Sequence, residues 1–106
     1  MAEMPPRRYL CSQLVTLSWE EGATVVNLEE IQPGGGVLES ETEVPPDSEV
    51  EIRCGAAYFA GKVKKAEEHE FGWRIAVEFS PLTPWSIEHF RPEHLFDPDA
   101  MKKETT

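Results

Sequence analysis

Two adjacent arginines, Arg7 and Arg8, stand out in a chain with 10 basic and 20 acidic residues and a formal net charge of −10. A guanidinium offers a planar fork of donors suited to a bidentate grip on phosphate and to stacking on a base. The same pair serves equally well as a solubilising charge near the start of the chain. Gly34-Gly35-Gly36 is the second feature with chemical reach, because residues without a Cβ let backbone N–H groups approach an anion closely. A tight turn between strands explains the run more simply, and no amphipathic helix follows it as in phosphate-binding loops.

Nothing in the sequence assembles a catalytic centre. There is no Gly-x-Ser-x-Gly elbow, no Walker-type loop and no His-Glu-x-x-His pair. His89 and His94 are five residues apart, which places them on different sides of a helix rather than on one ligating face. Together with His69 they read as solvated surface residues. Glu29-Glu30 and Glu67-Glu68 are adjacent carboxylates, and neighbours along a strand point to opposite faces. Cys11 and Cys54 have no partner at metal-like spacing and read as small core residues in a reducing compartment. The expectation is a binding protein, not an enzyme, with no cofactor and no metal.

Bulk properties narrow the partners. With 106 residues the chain holds one core, and 40% hydrophobic content argues against wholesale disorder. The acidic balance opposes nucleic-acid binding, which depends on neutralising phosphates with Lys and Arg. No apolar run approaches the roughly 20 residues that a membrane helix needs, and no signal-like segment opens the chain. A cytoplasmic location without membrane or nucleic-acid contact is expected.

The elements that would position these residues follow a period of two. Gln13 to Trp19 predicts a first strand with Val15, Leu17 and Trp19 inward, and Ala23 to Leu28 a second. Pro33 and the three glycines interrupt regular structure, leaving Val37-Leu38 as a short third strand. Glu49 to Cys54 alternates strictly, with Val50, Ile52 and Cys54 inward. Tyr58 to Ala66 and Trp73 to Phe79 predict a hairpin in which Val63 faces Val77, Gly61 faces Phe79 and Lys62 meets Glu78 on the outside. Beyond Phe79, Thr83-Pro84 reads as the N-cap and first residue of a short helix, and Trp85, Phe90 and Phe96 are expected to dock this segment on the barrel. Residues 1–8 are expected to be a flexible arm, 9–99 a single β-barrel domain with a C-terminal cap, and 100–106 a disordered tail.

An arginine-bearing arm, a first strand, the polar strand end Asn27-Leu28-Glu29-Glu30, the glycine turn and the hairpin Phe59-Ala60-Gly61-Lys62-Val63 against Trp73 to Phe79 form a pattern. Over about residues 7 to 80 that pattern resembles the PilZ domain, whose members are six-stranded antiparallel barrels and in many cases bind the bacterial messenger cyclic di-GMP. The resemblance implies an all-β fold, a small six-stranded antiparallel barrel with a short C-terminal helical segment, and a regulatory binding role in bacterial signalling. It implies ligand contacts from Arg7, Arg8, Asn27, Gly34 and Gly35. The family's binders carry Arg-x-x-x-Arg in the arm, but Cys11 stands four residues after Arg7 and Ser12 four after Arg8. In the second motif, Asp or Asn-x-Ser-x-x-Gly, Asn27 matches while Glu29 replaces the serine and Gln32 the glycine. Carboxylates where a diphosphate should lie are unfavourable. The resemblance therefore implies weak cyclic di-GMP binding, or an adaptor for a protein partner that has lost the nucleotide.

Overall fold

The alternation resolves into six antiparallel strands in the computed structural model, which describes residues 8–98. They are β1 (Tyr9–Trp19), β2 (Gly22–Gln32), β3 (Gly35–Ser40), β4 (Glu49–Cys54), β5 (Ala57–His69) and β6 (Gly72–Phe79). Pairing runs in the order β1-β2-β3-β6-β5-β4 and closes from β4 onto β1, making a barrel. The all-β, six-stranded antiparallel architecture expected from the sequence is the one observed. Arg7 with the preceding arm, and the tail from residue 99 onward, lie outside the described residues. Among the described residues no helix is long and apolar enough to cross a membrane.

Alternate residues of every strand fill the interior. Val15, Leu17, Val26, Leu28, Leu38, Val50, Ile52, Val63, Ile75 and Val77 are buried, and Phe59 stacks on Phe79 with ring centroids 5.0 Å apart. Each fully buried aliphatic side chain contributes about 1.5–3 kcal/mol relative to exposure, before the entropy of ordering it. The β5–β6 hairpin has the expected register, with Gly61 opposite Phe79, Lys62 opposite Glu78 and Val63 opposite Val77. Trp19 departs from expectation. It is half-buried, because it is the last residue of β1 and packs against the core only from its rim. Cys11 and Cys54 are also half-buried, with free thiols on the flank of the core rather than inside it.

The glycine run is less of an interruption than its composition suggests. Only Pro33-Gly34 forms the turn, and Gly35 and Gly36 belong to β3, which is six residues long. A Cβ on Gly35 would lie 2.3 Å from the Val77 carbonyl oxygen, and one on Gly36 would lie 2.9 Å from that of Glu30. The neighbouring strands approach too closely here for any side chain, which is the physical reason for glycine.

The expected C-terminal helix is absent between Ser80 and Asp97, where the chain makes turns. Thr83 does not cap a helix. Its Oγ1 accepts the Ala60 N–H at 3.0 Å and donates to the Ala60 carbonyl at 3.1 Å, which fixes the loop to β5. The Trp85 N–H donates to the Pro33 carbonyl at 3.0 Å, so a donor of the would-be first turn is engaged elsewhere. Docking of the segment itself holds. Trp85 is buried and Phe90 half-buried against the core, whereas Phe96 is 40% exposed and docks through its backbone.

Placing a carboxylate at position 77 tests the register. Val77 is 4% exposed, so Val77→Asp should cost about 3 kcal/mol or more, read as a large fall in the urea midpoint. A midpoint unchanged from wild type would contradict an inward Val77.

Candidate functional site

The outer face of β2 carries the chemistry, and a β-bulge puts it there. The β2–β3 register shifts between Leu28 and Glu30, so Glu29 is an extra residue. Leu28 and Ile31 both stay inside, and Glu29 and Glu30 both turn outward. The expectation that these adjacent carboxylates point to opposite faces is thereby overturned.

Arg74, on β6, reaches both. Its Nη1 donates to Glu29 Oε1 at 3.0 Å and its Nη2 to Glu30 Oε2 at 2.6 Å. Arg8 Nη1 approaches the other Glu30 oxygen at 3.2 Å. The Glu30 side chain is only 15% exposed, so it is largely desolvated and its two guanidinium partners matter for that reason. Glu39, opposite Arg74 on β3, has His69 Nε2 3.6 Å from its Oε1. Burial and the neighbouring Glu39 carboxyl raise the Glu29 pKa above its ordinary value, against the opposing pull of Arg74 and His69. The Cys11 thiol donates to the Leu28 carbonyl at 3.4 Å, and its pKa is raised to about 11 by burial and by Glu29 and Glu30. It stays a thiol at neutral pH and is a poor nucleophile.

Next to this cluster lies a groove of about 260 Å³, with Arg8, Glu30, Gly34, Gly35, Lys64 and Glu78 among its lining residues. A second bulge, between Val63 and Lys65, leaves Lys64 and Lys65 both outward and returns Ala66 to the core, and the Lys64 ammonium lies 3.7 Å from Glu78. Both members of that pair are more than half exposed, so it contributes little. Each cation of the groove thus already has a carboxylate partner. The glycines present no anion-binding nest, since such nests need a left-handed residue and Gly55 is the one glycine with positive φ among the described residues.

The structure therefore brings together three of the residues picked out by sequence, Arg8, Gly34 and Gly35. Asn27 sits on the outer face of β2, opposite Leu14 and Glu39, but outside the lining of the groove. Its Oδ1 accepts the Ser12 hydroxyl at 3.3 Å. Arg7 lies outside the described residues. The histidines occupy separate surroundings, with His69 beside Glu39, His89 edge-on to Phe59 and His94 in a turn with φ 58°. Sequence reasoning missed Arg74, Glu39 and Cys11 as members of the cluster. The available signal was a skipped beat, since the inward residues of β2 run Val26, Leu28 and then Ile31. No protein-family model matches the chain, and a search of curated proteins returns no match.

The crowding at Glu29 has a signed consequence. A carboxyl whose pKa is raised on folding stabilises the fold below its unfolded value, 4.5, and that contribution is lost as pH rises through the raised value. Glu29→Gln keeps an acceptor for Arg74 without the charge. The variant should match wild type near pH 4 and be the more stable of the two near pH 7, by no more than about 1 kcal/mol at this partly exposed site. Thermal melts at both pH values check this, and a variant less stable than wild type near pH 7 would overturn it.

Proposed function

We propose that this chain is a non-catalytic regulatory binding module of the PilZ type, whose nucleotide-binding face is held closed by its own ion pairs. The observation that carries the reading is Glu30, which engages Arg8 on one oxygen and Arg74 on the other. Cyclic di-GMP carries two phosphates, and an arginine grip on them has to be won from these carboxylates. Position 11, where the family resemblance calls for a second arginine, holds a thiol beside Glu29 and Glu30. Loss of one charge-assisted contact costs about 1.5–3 kcal/mol, a tenfold to hundredfold loss of affinity. The nucleotide then binds weakly or not at all.

A protein-interaction role is the second reading, and it rests on a separate observation. Leu14 and Val25 are 64% and 62% exposed and share the outer face of β1 and β2, where Val25 is opposite Thr16 and Leu14 is two residues from it. Exposed apolar side chains flanked by the uncharged Thr16 and Asn27 suit contact with another protein.

Titration calorimetry with cyclic di-GMP separates the two. Wild type should bind no tighter than about 10 µM, and more weakly still as salt rises. Cys11→Arg with Glu29→Ser supplies the second arginine, removes one carboxylate and releases one of the two contacts of Arg74. That double variant should gain at least about tenfold. Tight, salt-insensitive binding by the wild type would refute the closed face, and no gain from the double variant would leave the interaction role.

A further inference from the structure

Two walls of the groove are fastened to one residue, Trp85, one through its ring and the other through its backbone. The first wall is the start of β1, where Arg8 lies on Glu30 and the adjacent Tyr9 ring meets Trp85 edge-on at 5.5 Å. The second is the turn at Pro33-Gly34, whose Pro33 carbonyl accepts the Trp85 N–H at 3.0 Å. Trp85 is 3% exposed, and its indole Nε1–H donates to the Phe90 carbonyl at 2.7 Å. One residue thus connects arm, turn and C-terminal segment.

The far end of that segment is tied to the same arm. β4 pairs with β1 only from Thr16 to Ser18, which leaves the edge of β1 from Leu10 to Gln13 without a strand partner on that side. Residues 93–96 cover it. The Leu10 N–H donates to the Phe96 carbonyl at 2.8 Å and the Phe96 N–H returns to Leu10 at 2.7 Å. The Ser12 N–H donates to the Glu93 carbonyl at 3.0 Å, and the Glu93 N–H to the Gln13 side-chain oxygen at 3.0 Å. Between these anchors His94 has φ 58°, a left-handed conformation that side chains with a Cβ adopt at a cost. A strap held by a few backbone bonds and strained at its middle belongs to the least stable part of a fold.

We propose that Trp85 is the positioning residue of the groove, and that the docking of residues 93–96 is set through it by where Arg8 rests. A phosphate-bearing occupant that draws Arg8 off Glu30 moves Tyr9 against Trp85 and shifts Leu10, one residue on, from the Phe96 bonds. Docked and released strap are the two states, and the ligand biases them by its differential affinity. The inference rests on reading the groove as the ligand face of the module, although the mechanical link can be tested without ligand.

Charge reversal supplies that test on the full-length chain. Glu30→Lys should repel Arg8, speed amide hydrogen exchange at Leu10 and Phe96 several-fold and shift the Trp85 indole N–H resonance. Arg8→Ala, at an exposed position that cannot unfold the barrel, should act in the same direction more weakly. Glu78→Lys, on the same groove but contacting neither Tyr9 nor Trp85, should leave strap and indole unchanged, and Ile52 and Val77 amides should stay protected throughout. Trp85→Phe keeps the backbone bond to Pro33 but has a smaller ring without the indole N–H that reaches Phe90, and in that background Glu30→Lys should add little further exchange. A strap indifferent to both Glu30→Lys and Arg8→Ala, or equally responsive to Glu78→Lys, overturns the coupling. A strap that responds while the Cys11→Arg with Glu29→Ser variant gains no affinity for cyclic di-GMP overturns the nucleotide reading and keeps the coupling.

Discussion

An extra residue in β2 governs the outer face of this barrel. Without the bulge, strict alternation after Leu28 would turn Glu30 inward, into an interior that buries Val15, Val26, Leu28 and Leu38. A carboxylate there would be desolvated without a partner, a cost of several kcal/mol or a forced protonation. Inserting Glu29 returns Ile31 to the interior and sends both acids out. The consequence is a crowd, since Glu39 of β3 lies on the same face. Arg74 relieves it with one guanidinium nitrogen for each of Glu29 and Glu30. The cross-strand pairing of Arg74 with Glu39 brings its fork within reach of both.

This arrangement bears directly on ligand chemistry. Guanidinium groups recognise phosphates best when they are unengaged and their site is electropositive. Here Arg8 and Arg74 are engaged by side chains of the same face, in a chain of formal net charge −10. The electrostatics of this face thus oppose an anion, whatever the barrel beneath it allows. Substituting the acids, not rebuilding the strands, is the change that would free these guanidiniums.

The hairpin was the most legible part of the fold because two constraints coincide there. Inward Val63 and Val77 set the register, and outward Lys62 and Glu78 agree with it. Elsewhere a local pattern was overruled by distant partners. Thr83-Pro84 has helix-starting chemistry, yet the threonine hydroxyl is taken by Ala60, more than twenty residues away in sequence. As residue types the glycines suggest a turn, whereas Gly35 is required by the approach of Val77, visible only once β3 and β6 are paired. Of the candidate site, Arg8 and the glycines were legible as residue types. The role of Arg74 was hidden because it looked like one more outward charge of an alternating strand.

The pairing of Leu10 with Phe96 also sets where the two ends of the described fold lie. The two ends of the described fold leave it side by side, joined by reciprocal hydrogen bonds of 2.8 and 2.7 Å. Tension applied to the two ends would load this short patch first, and the barrel seams only after it has parted. A fold tethered in this way can be spliced into a surface loop of another protein without stretching its host, because its ends are already a strand spacing apart.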